Sequence, residues 1–129
     1  MQSKRCIFVL LNRFPSVLGT GTETQNFHPM KKIRITVMRK ACYRDLMERY
    51  ENPIEHACDM QEGQVFIANG WEKPEGLCDS AWQSMSPFVM ALAHGGRDLY
   101  QGWMKNPESA MISCNDGFRP VSFLIEVVD

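Results

Sequence analysis

The sequence predicts an α+β fold: a two-layer domain with a small mixed or antiparallel sheet, helices on one face, and element order β-α-β-α-β-β. Three observations carry this reading. Ile33, Ile35 and Val37 alternate with Arg34, Thr36 and Met38, and Val121, Phe123, Ile125 and Val127 alternate with Ser122, Leu124 and Glu126, the period of half-buried strands. Between them, Ala81, Trp82, Met85, Val89 and Leu92 recur at helical spacing.

Each element follows from local chemistry. The first strand opens just after Met30. Leu46, Met47 and Tyr50, set among charged neighbours, predict a short amphipathic helix over 43–50, which Asn52-Pro53 ends. Gly63 then opens the run Gln64-Val65-Phe66-Ile67-Ala68, rich in strand formers and closed by Asn69-Gly70. The longest helical signal spans Asp79 to His94 and stops at Gly95-Gly96. Pro87 falls inside it, and the apolar stripe runs across the proline, favouring one kinked helix over two. Asp98 to Trp103 is long enough for one turn. Ala110 to Ser113 and Val121 to Val127 then form a hairpin around Asn115-Asp116-Gly117, with Gly117 supplying a positive φ.

Residues 1–29 stand apart. They carry a net charge of +2 against −3 for the remainder, show one apolar run from Cys6 to Leu11, and have no periodic face. That run is short for a secretory signal and far short of the roughly 20 apolar residues a membrane span requires. The expectation is a weakly ordered N-terminal extension or a misassigned start, with the folded domain occupying residues 30–129.

The whole chain of 129 residues holds 14 Lys and Arg against 15 Asp and Glu, and 44% of its residues are hydrophobic. This is the composition of a soluble globular domain, without the basic excess of a nucleic-acid binder or the apolar length of a membrane protein. Five cysteines without an export signal point to free thiols and a cytoplasmic setting.

Three of those cysteines are followed within two residues by an aspartate: Cys58-Asp59, Cys78-Asp79 and Cys114-Asn115-Asp116. Their spacings are 20 and 36 residues with no C-x-x-C pair, so the strong zinc-ribbon signature is absent. Convergence of Cys58, Cys78 and Cys114 would give soft ligands for a thiolate-bound metal, with His56 or His94 as fourth ligand. The plainer reading is that isolated cysteines behave as small buried hydrophobes. Cys78 has the best claim to reactivity, because it falls at the start of the long helix, although Asp79 would oppose a thiolate unless turned away. His94, at the helix end, is accounted for by capping.

Arg119 and Trp71 are further candidates for ligand binding. For Arg119 the competing reading is an ion pair with Asp116 that fixes the hairpin. Trp82 belongs to the buried helical stripe, whereas Trp71 and Trp103 fall near loops where ligand or subunit contact is open.

The segments Gly63-Gln64-Val65-Phe66, Pro74-Glu75-Gly76-Leu77-Cys78-Asp79-Ser80-Ala81-Trp82, Ala91-Leu92-Ala93-His94-Gly95-Gly96 and Ser113-Cys114-Asn115-Asp116-Gly117-Phe118-Arg119-Pro120-Val121 carry a resemblance. Together they resemble a small uncharacterised prokaryotic family of about one hundred residues, an ordinary single-domain size. The resemblance covers residues 30–129. It implies cysteines at 58, 78 and 114, an architecture and a late start, but no reaction. Two functions follow: a non-catalytic module binding a metal, small ligand or partner near Cys58, Cys78 and Cys114, or a thiol-dependent enzyme or redox protein using Cys78. Neither the ligand, the partner nor the oligomeric state is fixed by the sequence, and a homo-oligomer is compatible with it.

Overall fold

The computed structural model describes residues 29–128. The elements run β1 (Lys32–Lys40), α1 (Arg44–Tyr50), β2 (Val65–Asn69), α2 (Asp79–Ala93), β3 (Ser109–Ser113) and β4 (Val121–Val127). The four strands form one antiparallel sheet in the order β2-β1-β4-β3. The α+β class and its element order are those the hydrophobic periods predict.

Strand alternation decides where the core lies. Ile33, Ile35 and Val37 of β1, Val121, Phe123 and Ile125 of β4, Ala110 of β3 and Ala68 of β2 are all buried. In register, Ile33 pairs with Ala68, Val37 with Phe123, and Ala110 with Ile125, so these side chains share one face. Helix α2 lies over that face, touching β1, β3 and β4, and buries Ala81, Met85, Val89, Leu92 and Ala93 against it. The opposite face has no helix among the described residues, and Val65, Ile67, Met38 and Met111 are exposed on that side or at its β1 bulge.

The position of α2 is pinned at both ends. At its C-terminus the Gly96 N–H donates to Ala91 O at 2.8 Å, and a Cβ on residue 96 would lie 2.7 Å from that oxygen, so glycine is required for the close approach. The Lys31 N–H donates to Ala93 O, tying the start of β1 to the helix end. At the N-terminus the Asn115 N–H donates to Ser80 Oγ, Asn115 Nδ2 donates to Ser80 O, and Ser84 Oγ donates to Asn115 Oδ1 at 2.8 Å. These bonds lock the β3–β4 turn against the first turn of the helix.

The structure also departs from the sequence reading. Helix α1 forms where expected, yet it buries none of its residues: Leu46 and Tyr50 are exposed. Seven residues supply too little apolar stripe to dock, and α1 is held at its flanks, where the Ala41 and Tyr43 N–H groups donate to Pro120 O and Phe118 O. The helical layer is therefore α2. Pro87 sits inside α2 without dividing it. Gly117 does not adopt a positive φ; the turn is made instead by Asp116, whose Oδ1 accepts the N–H groups of Phe118 and Arg119. In place of a helical turn after Arg97, Asp98, Tyr100 and Gln101 take left-handed backbone angles. The fate expected for the extension 1–29 lies, but for Pro29, outside the described residues. Among those described, no helix is long and apolar enough to cross a membrane.

Candidate functional site

The topology places the three sequence-predicted cysteines toward the same end of the sheet. Cys78 is the N-cap of α2, Cys114 leaves β3 where Asn115 meets Ser80, and Cys58 lies in the segment leading to β2. All three are half-buried, free and packed against the core. Two sulfurs are oriented by backbone donors: the Met60 N–H donates to Cys58 Sγ at 3.4 Å and the Val121 N–H to Cys114 Sγ at 3.3 Å.

Each accompanying aspartate has a partner of its own. Asp59 accepts from His56 Nε2 at 2.6 Å, Asp79 accepts from Lys73 Nζ at 2.6 Å, and Asp116 closes the hairpin turn. Convergence, however, is incomplete: among the described residues no group of three or more His, Cys, Asp or Glu side chains is arranged to hold a metal ion. The expected cage of Cys58, Cys78 and Cys114 is thus not preassembled.

The histidines do not complete it. His94 is the C-cap of α2, sixteen residues along the helix from Cys78 or about 24 Å, which removes it as a fourth ligand. His56 is exposed and committed to Asp59. No histidine among the described residues hydrogen-bonds a cysteine, so a Cys–His pair is not formed at Cys78.

Arg119 is also spoken for, by a different partner from the one expected. Its Nη1 donates to Glu51 Oε1 at 2.8 Å, linking the end of α1 to the β4 approach. The Glu51 hydrogen bond and charge, with Asp116 adding to them, raise the guanidinium further above its ordinary value. A raised pKa keeps the pair intact below the ordinary arginine range and weakens it only at more alkaline pH, so it is fully present at neutral pH. A guanidinium held this way braces the two segments through one of its five N–H donors.

The remaining candidate, Trp71, leads to a feature that residue spacing does not reveal. It is 66% exposed and opens the segment running from the end of β2 back to Cys78. Between that segment and β2 lies an open cleft of about 400 Å³, lined by Val65, Phe66, Ile67 and Asn69 on one side and by Glu72, Lys73, Pro74 and Glu75 on the other. Lys73 is turned out of play, donating to Leu77 O and Asp79 Oδ1, whereas Glu72 and Glu75 remain on the rim. The signal in the sequence was indirect: a strand of exposed Val65 and Ile67 followed at once by tryptophan. A second exposed aromatic group, Tyr100 edge-on to Trp103 with ring centroids 5.3 Å apart, sits on the left-handed turn beyond the other end of α2.

Compared with known protein families, with curated proteins and with solved structures, the chain gives no match.

Proposed function

We propose that this domain is a non-catalytic binding module whose ligand seat is the cleft along β2, beside the segment that ends at Cys78. The observation that supports it most is the cleft itself. Its volume of about 400 Å³ falls in the range of small-ligand sites, and its lining is mainly polar, with the outer edge of β2 on one side and Glu72 and Glu75 on the other. The four free cysteines of the described residues support a reducing, cytoplasmic setting for such a module. Compounds and short peptides that raise its melting temperature should shift the amide resonances of residues 65–75, and Ile67→Ala, in the lining of the cleft, should weaken them several-fold. Ligands that stabilise the protein but shift only residues elsewhere would overturn the assignment.

A second reading is favoured by the two N–H···S bonds, which fix the directions of Cys58 and Cys114 as an ordered metal ligand requires. Here a soft metal draws the three thiols together on binding. Elemental analysis of anaerobically purified protein beside Cys78→Ser tests it. Stoichiometric metal lost in the variant supports the reading, and metal in neither protein discards it.

A further inference from the structure

We infer that the cleft takes an extended peptide, added to the sheet as a fifth strand alongside β2, with apolar residues alternating with lysine or arginine. The inference rests on the cleft being the ligand seat and names the class of ligand.

Backbone geometry supplies the first argument. The Val37 N–H donates to Gln64 O, so hydrogen bonding between β1 and β2 alternates from that pair. With Ile35 opposite Phe66 and Ile33 opposite Ala68, the peptide groups of Phe66 and Ala68 turn toward β1. Those of Val65, Ile67 and Asn69 then turn away from the sheet, and these three residues line the cleft. They repeat every second residue, about 6.8 Å apart, which is the spacing an incoming strand presents.

The second argument is the character of this edge. Strand β2 ends the sheet order, and its sequence Val-Phe-Ile-Ala-Asn contains no lysine, proline or inward charge of the kind that keeps exposed edges from pairing. Strand addition uses such an edge: main-chain bonds give affinity and alternate side chains give specificity.

Charge and side-chain direction then define the occupant. Val65 and Ile67 are exposed on the sheet face opposite α2, where the added strand's neighbouring side chains would pair with them and favour β-branched residues. The alternate side chains of that strand point toward the Glu72–Glu75 wall. Because the charge of Lys73 is offset by Asp79, the net charge of that wall is that of Glu72 and Glu75, which selects basic residues.

The test uses the full chain, isotopically labelled, and an amidated peptide alternating valine and lysine over about seven residues, an ordinary strand length. The expected result is saturable shifts at Val65, Ile67 and Asn69. Methylating every second backbone nitrogen of the peptide keeps its charge and side chains but removes strand pairing, and should abolish binding. Ile67→Pro, which removes one outward N–H at an edge position, should weaken the peptide about tenfold, the value of one hydrogen bond. Glu72→Gln with Glu75→Gln, exposed changes that leave the backbone intact, should weaken it and flatten its salt dependence. Equal binding of the methylated peptide at the same residues would overturn strand addition and leave the cleft as a ligand seat. Shifts by neither peptide, while other ligands still shift residues 65–75, would overturn the inference alone; loss of every ligand at 65–75 would remove the seat as well.

Discussion

Phe123→Ala is expected to cost about 3–5 kcal/mol, enough to consume much of the 5–15 kcal/mol that holds a domain of this size together. Phe123 is fully buried and heads the ranking of buried side chains by volume. It stands on β4 opposite Val37 of β1 and Ile112 of β3, beneath α2, so its ring joins the two central strands, one edge strand and the helix. Removing the ring leaves a cavity whose walls are tied by backbone ladders on both sides, which limits collapse onto the space. Leu124→Ala, one residue along and on the opposite face, should cost only about 1 kcal/mol, because its side chain is already half in water. Urea unfolding of the two variants checks both values. Similar losses for the two would mean that the second face of the sheet is also covered in solution.

The contrast between neighbours shows why so much of the fold was legible. A strand reveals its buried face through a period of two, which β1 keeps as far as Val37 and β4 keeps from Val121 to Ile125, so both the strands and the core positions Ile33, Ile35, Phe123 and Ile125 can be read directly. Helix α2 is equally plain because fifteen residues give its stripe several repeats. Helix α1 shows the limit. Its spacing identifies a helix, but whether seven residues dock is a matter of tertiary space that spacing does not encode. The same limit applies to the hairpin turn, where Asp116 does by side-chain hydrogen bonding what Gly117 was expected to do by a positive φ.

The site was less legible for a related reason. Cys58, Cys78 and Cys114 attract attention because cysteine is rare and chemically distinctive, and the topology does bring them toward one end of the sheet. Whether sulfurs meet depends on distances of a few ångströms, and sequence separations of 20 and 36 residues do not constrain them. The aspartates illustrate the same point: adjacency to cysteine suggested repulsion, yet His56, Lys73 and two backbone N–H groups claim them. A cleft made by a strand edge and a returning loop leaves only an indirect residue signature, because its principal chemistry is the outward backbone of Val65, Ile67 and Asn69.

Pro87→Ala should raise stability, the opposite sign from most substitutions. Pro87 occupies the middle of α2, where it withholds the N–H that would donate to Gln83 O and sets its ring against that carbonyl. A helix-interior proline is about 3 kcal/mol less favourable than alanine. Part of this is returned because alanine frees the unfolded chain by about 0.4–1 kcal/mol, so the expected gain is about 2 kcal/mol. The side chain is exposed, so no core packing is surrendered. For a domain of about one hundred residues, that corresponds to a rise in melting temperature on the order of 10 °C. A scan showing no rise would mean that the carbonyl of Gln83 has been satisfied another way, and a fall would mean that the proline is what lets one end of α2 follow Ser80 to Asn115 while the other follows Ala93 to Lys31. The second outcome would make the proline a determinant of where Cys78 sits, because Cys78 caps the N-terminus of the same helix.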